Sequence, residues 1–336
     1  MKKIVTIVVL GLLGVLLTGC LNVVEDQDKQ GKTVDIVQTV TIAGSRKDEN
    51  AKIETVTETV PVNPKRVALF DYGVLDILNE VGIDNLGIEK LSVVKSNLPA
   101  YLSAYNDKKY GVAGISLFEP NYDELDLFNA DLIILSDRSA WAYDSLKKEL
   151  NGVSVLTLSI DNTDYLASVK NNLSVLSKVF DGHQAFNVLS ETLTIKTNEL
   201  AAKAKNINLN ALILMTNGNS ISGYGIGSRF GFIHNELSFT AADLNFGRGD
   251  ENAHGDQISF EYISVLNPDI IFVVDRTAAT SSDTSYEILN VSLVNETNAG
   301  KSGRIIILDS VIWYLASGGY QSTLKMIEDT AKVFNV

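Results

Sequence analysis

Apolar and polar positions alternate along much of this chain, and the period of the alternation changes. Residues 38–43 and 53–60 are Thr/Val-rich with a period of two, which predicts an opening pair of strands. Short β-branched runs then recur at 67–70, 132–135, 153–158, 211–215, 270–274 and 305–308. Helical spacing lies between them, and this alternation predicts an α/β architecture. Two helical patterns sit back to back in the middle. In the first, Leu166, Val169, Leu173, Leu176 and Val179 recur three and four apart, after the N-cap candidates Asp161-Asn162-Thr163-Asp164. The second runs from about Gln184 to Lys205. Neither contains proline, so the two read as a stiff connector between halves. A last amphipathic pattern carries Leu324, Ile327, Ala331 and Phe334.

The halves share a phrase. Asp123 stands seven residues before Ala130-Asp131-Leu132-Ile133, and Glu261 stands seven before Pro268-Asp269-Ile270-Ile271. The expectation is two similar lobes, each presenting one acid at an equivalent corner.

The amino end is different in kind. Lys2 and Lys3 precede an apolar stretch over 4–17, followed by Leu17-Thr18-Gly19-Cys20. A basic start, a short apolar middle and a small-residue junction make a secretory signal, and 14 apolar residues fall short of the roughly 20 needed to span a bilayer. The junction resembles the lipobox of bacterial lipoproteins, in which the cysteine receives lipid and begins the mature chain. Cys20 is the one cysteine in the sequence, so no internal disulfide is available. Loss of residues 1–19 would take the formal charge from −13 to −15. So acidic a protein is no candidate for nucleic acid, and its membrane contact should come from lipid alone. An anionic ligand would need a local positive cluster that opposes the global field.

Enzyme signatures are missing: no Gly-x-Ser-x-Gly, His-Glu-x-x-His or Walker loop occurs. The glycines of 223–231 lack the dinucleotide register. His183 reads as a solvated turn and His234 as packing in a helix over 230–237. His254 lies in a glycine-rich polar loop of the ligand-facing kind. With three histidines so dispersed, a bare-ion site is not indicated. Arg138 and Arg276 follow strands and Arg229 ends the glycine-rich stretch. In open α/β sheets ligands bind at the strands' carboxyl ends, so the three are a candidate anion pocket, although each alone could be a surface ion pair. Trp313 and Tyr314, beside Gly318-Gly319, either line a cleft or pack in the core, and Trp141 is open in the same way.

Dispersed phrases carry a broader likeness: Asn97-Leu-Pro-Ala-Tyr-Leu102, Ser228-Arg-Phe-Gly231, Ala253-His-Gly255, the run from Asn267-Pro-Asp269 to Val274-Asp-Arg276, and Trp313-Tyr-Leu-Ala-Ser-Gly318. The mature chain resembles the substrate-binding lipoproteins of iron–siderophore ABC importers, and among them the catecholate-siderophore members. The resemblance implies two Rossmann-like α/β lobes joined by one long helix, with the ligand in a cleft between them and little flexing. On that basis the chain divides into a signal peptide at 1–19, a lipidated tether at 20–35, an N-terminal lobe at 36–163, a helical connector at 164–205 and a C-terminal lobe at 206–336. The resemblance implies that Arg138, Arg229 and Arg276 hold the ligand. It further implies that His254 and Tyr314 complete the coordination of Fe(III) when the siderophore supplies only four oxygens. Asp123 and Glu261 match lobe-tip acids that pair with arginines on the permease. Position 123 is more often glutamate in such proteins, and Glu124 is adjacent. The expected protein is therefore a membrane-tethered monomer without permanent cofactor, which hands a ferric siderophore to an ABC importer and catalyses nothing. A haem- or cobalamin-binding lipoprotein on the same scaffold is the alternative, and a lipid-tethered hydrolase a more distant one.

Overall fold

Two β-sheets, one from each half of the chain, organise the molecule. The computed structural model describes residues 31–244 and 255–335, so Cys20 and His254 lie outside the described residues. The first sheet is all parallel, in the order Gly111–Val112, Lys90–Val93, Arg66–Leu69, Leu132–Leu135 and Ser154–Thr157. Its two middle strands are buried along nearly their whole length, as expected of strands covered on both faces. The second sheet is mixed. Asn210–Asn217, Ile270–Asp275 and Ile305–Ile307 run parallel, and Ser220–Tyr224 folds back antiparallel on the first of these.

The opening pair forms a ten-residue antiparallel ladder, Thr33–Ile42 on Lys52–Pro61. It is clamped to the first sheet by two buried polar side chains. Gln38 donates its amide to the Val155 carbonyl and accepts from the Thr157 N–H, each at 2.8 Å, so it acts as a further rung on the edge strand. Glu58 accepts from Lys147 Nζ at 2.6 Å, from the Tyr143 hydroxyl at 3.0 Å and from the Val155 N–H at 3.3 Å. A buried carboxylate with three donors is satisfied where a lone one would be costly.

The shared phrase of the two halves has one structural meaning. Helices Tyr122–Phe128 and Phe260–Leu266 are each seven residues long, begin at capping Asn121 or Ser259, and end at a left-handed asparagine, Asn129 or Asn267. Two residues later, Asp131 accepts from the backbone of Lys65 and Arg66, and Asp269 accepts from the backbone of Asn210. In each sheet this aspartate fixes the start of the neighbouring strand.

The stretch expected to connect the lobes forms two helices, Tyr165–Val179 and Ala185–Asn206. Asp181 and Gly182, both at positive φ, turn the chain between them, and the His183 imidazole accepts from the Ala185 N–H in that turn. Because side chains alternate across a strand, the second sheet divides its apolar groups between two clusters. Leu212, Leu214, Ile271 and Val273 face outward into a small cluster, whereas Ala211, Ile213, Ile270 and Phe272 join the main core. That main core also holds Val67, Leu69, Ile133 and Leu135 of the first sheet, so the lobes share one apolar interior.

Candidate ligand-binding site

Each sheet delivers cationic side chains from the carboxyl ends of its strands. Arg138 follows Leu132–Leu135 through Ser136 and Asp137. Arg276 is the first residue of the short helix Arg276–Thr280, directly after Ile270–Asp275. Asp275 sets its direction: the buried carboxylate accepts from the N–H groups of Ala278, Ser285 and Tyr286 and from the Ser285 hydroxyl, and these bonds outweigh burial and hold its pKa below the ordinary value. Arg229 arrives differently from the expected glycine loop. Gly223 is part of strand Ser220–Tyr224, and only the turn beyond it is irregular, with Gly227 at φ +79° and the Ser228 hydroxyl donating to the Gly225 carbonyl. Tyr314 lies in helix Ser310–Leu315, which Asp309 caps after strand Ile305–Ile307.

These side chains converge on Tyr314. Arg138 and Arg229 both donate to its backbone carbonyl, the latter at 2.8 Å, and Arg276 Nε donates to its hydroxyl at 2.8 Å. The Arg229 guanidinium lies 4.2 Å from the Tyr314 ring centroid. Among the described residues none of the three arginines forms an ion pair. Burial, then the neighbouring Arg138, pushes the Arg229 guanidinium down to about 10, so it stays charged at neutral pH. Burial pushes the Tyr314 phenol up, but Arg229 and Arg276 outweigh it, and the net shift is downward. A half-buried cluster of like charges that also favours a phenolate is a place for an anion.

The cleft beside this cluster has a volume of about 240 Å³ and is walled by Asp71, Asp137, Ile160, Asn162 and Ser317 together with Arg138 and Arg229. Asp71 was not among the residues singled out from sequence. It follows the first sheet's central strand and caps helix Tyr72–Val81 through the Val74 N–H; burial lifts its carboxyl to about 6. Its position two residues past a buried strand was the available signal, the same kind that marked Arg138 and Arg276. Phe118 was missed as well. It sits 5.4 Å from Arg138, and its carbonyl accepts from Trp141 Nε1 at 2.9 Å. Trp141 thus packs partly buried behind the wall. Trp313 and Tyr314 take opposite fates: Trp313 is buried and donates to Asp329, and Tyr314 faces the arginines.

The remaining residues divide by place. Asp123, Glu124 and Glu261 are exposed on the two equivalent short helices. Its own backbone N–H, then the Ser259 side chain, hold Glu261 below its ordinary pKa. His234 is partly buried and bonds the Phe239 carbonyl at 2.9 Å, a packing role. No cluster of His, Cys, Asp and Glu able to hold a metal ion occurs among the described residues, and none of their helices is long and apolar enough to cross a membrane.

Two α/β lobes with guanidiniums gathered where their strands end have the architecture of a solute-binding protein. The chain belongs to the periplasmic binding protein family, which it matches over residues 67–312. It is 35% identical over 272 residues to the petrobactin-binding protein YclQ of Bacillus subtilis, covering 80% of this chain and 82% of YclQ. The crystal structure of YclQ matches with a TM-score of 0.75 at 33% identity, over 89% of this chain and 99% of that one. The ferric-anguibactin-binding protein FatB of Vibrio anguillarum is 26% identical over 273 residues, 80% of this chain and 82% of FatB. The crystal structure of the periplasmic catecholate-siderophore binding protein VctP from Vibrio cholerae matches with a TM-score of 0.74 at 29% identity, over 88% of this chain and 100% of that one.

Proposed function

We propose that this protein captures a ferric siderophore of the catecholate type outside the cytoplasmic membrane and delivers it to an ABC importer, without catalysing a reaction. The observation that carries the reading is the convergence of Arg138, Arg229 and Arg276 on Tyr314 in a chain of net charge −13. Ferric catecholates are multiply anionic and present planar rings rimmed with oxygen. Guanidinium groups match both features, as bidentate donors to oxyanions and as stacking partners for rings. The relatives' names, petrobactin-binding, ferric-anguibactin-binding and catecholate-siderophore binding, support the same ligand class.

On this reading Tyr314 supplies a phenolate to Fe(III) when the siderophore leaves coordination positions open, and His254 is the candidate to supply an imidazole. Lipid on Cys20 would keep the protein near the membrane and raise the local concentration of its partner. Asp123 or Glu124 on one lobe and Glu261 on the other would dock on cationic sites of the permease. The equivalent helices support this, because each also leaves an apolar side chain open four residues after its acid: Leu127 is 81% exposed and Val265 86%. Two matched acid-plus-apolar corners give a partner both orientation and register.

Tryptophan-quenching titration of the Arg229→Ala and Arg276→Ala variants with a ferric catecholate tests the pocket. A charged hydrogen bond of ordinary strength implies a loss of about ten-fold or more in affinity for each. Wild-type affinity in both variants would overturn the reading.

A further inference from the structure

The alternation of guanidiniums and rings does not stop at the three arginines. Arg276, Arg229 and Arg138 lie 5.7, 4.2 and 5.5 Å from the Tyr314 ring centroid. Arg138 stands also 5.4 Å from the Phe118 centroid, and on that same ring rests a fourth guanidinium, Arg46, at 3.8 Å. Arg46 is exposed in the turn between Thr33–Ile42 and Lys52–Pro61. Asp48 shapes the turn, accepting from the Gly44 N–H at 2.7 Å and the Asn50 N–H at 2.9 Å. Phe118 is itself held, through its carbonyl by Trp141 and through its N–H by Ser116 Oγ at 3.2 Å.

Arg46 therefore stacks on a ring fixed from behind, one ring beyond Arg138. It forms no ion pair among the described residues. A guanidinium lying on a ring keeps its in-plane N–H donors free, and those donors suit a carboxylate. From this placement we infer that Arg46 is a further ligand-binding residue, which reads a carboxylate on the part of the ferric complex that projects from the iron toward the amino-terminal hairpin. The inference rests on the ferric-siderophore reading of the cleft. It adds a specificity element to a pocket whose other arginines respond to the charge of the chelate itself.

Two synthetic ferric tris-catecholates with one chelating core test it, one bearing a pendant carboxylate on its scaffold and the other the corresponding primary amide. Quenching titrations of wild type, Arg46→Ala and Arg46→Lys with both complexes give the answer. An exposed charge pair predicts roughly a five-fold loss for Arg46→Ala with the carboxylate complex, less than two-fold with the amide, and partial recovery in Arg46→Lys. Equal affinities of wild type and Arg46→Ala for the carboxylate complex would overturn the inference, and so would equal losses on both complexes. Arg229→Ala, run alongside, keeps the two readings apart: it must weaken both complexes if the cleft binds ferric catecholates, whatever Arg46 does.

Discussion

Tyr314 concentrates the chemistry of the cleft in one residue, through its backbone carbonyl as well as its side chain. Its carbonyl anchors two arginines, its hydroxyl accepts from a third, and its ring lies against all of them. Those cations lower the phenol's pKa against the opposing effect of burial. In a spectrophotometric pH titration, the phenolate absorbance that develops below the ordinary tyrosine range should vanish in Tyr314→Phe; an unchanged titration would refute the lowered pKa. The same shift has a sign for binding. As pH rises toward the Tyr314 pKa, more phenolate is available to a tetradentate ferric catecholate, so affinity for it should rise with pH more steeply than for a hexadentate complex that needs no protein ligand. Matching pH profiles would rule out coordination by Tyr314. At this scale Arg138 and Arg276 were legible because each comes just after an apolar strand run, and Arg229 because it ends a glycine-rich stretch. Phe118 was not, because it rides on the short irregular hairpin of Gly114–Ser116 with Glu119–Pro120, where no periodicity survives. Arg46 was hidden for a related reason: nothing in a turn's sequence says which ring it will cover.

Between elements, the contact that sets the cleft's shape is made by backbone. Helix Tyr72–Val81 approaches the start of helix Tyr320–Ala331 so closely that a Cβ on Gly73 would stand 2.8 Å from the Ser317 carbonyl and from the Gly319 nitrogen. Asp76, fully buried on the first helix, accepts from the N–H groups of Gln321 and Ser322 on the second, at 3.0 and 2.7 Å, and from the Tyr101 hydroxyl. An amino-terminal helix thus caps a carboxyl-terminal one a few residues after Tyr314. Asp76→Ala leaves those N–H groups unpaired and should cost about 2–4 kcal/mol in urea unfolding; a change near zero would show that the cap is dispensable. Gly73→Ala should destabilise by roughly 1–3 kcal/mol through overpacking and also weaken ligand binding. Burial lifts the Asp76 carboxyl from 3.8 to about 6, so across that window the folded state holds a proton that the unfolded state has released. Its contribution to stability is full below the window and falls as pH rises through it. Strands were legible where β-branched runs filled them. Lys90–Val93 and Ser220–Tyr224 escaped because a lysine opens one and serine and glycine interrupt the other, and both are held by their neighbours' ladders.

At the scale of the molecule, one apolar core runs through both lobes among the described residues. Ligand capture should therefore change the radius of gyration in X-ray scattering hardly at all, and a clear contraction would contradict a shared core. The two-lobed plan was legible from the repeated acid–Asp phrase, since that phrase marks the same capped helix and strand entry twice. The packing of the lobes on each other was not, because it depends on glycines meeting across more than two hundred residues of chain. Glu261→Ala should leave ligand affinity intact and lower siderophore-dependent iron uptake in cells, and preserved uptake would remove that corner from docking. The most direct test of the central claim is a parallel quenching titration of the purified protein with ferric catecholate siderophores, haem and cobalamin. Saturable binding of a ferric catecholate, in preference to the other two, is the expected result. Binding of haem or cobalamin with no response to any ferric siderophore would contradict it.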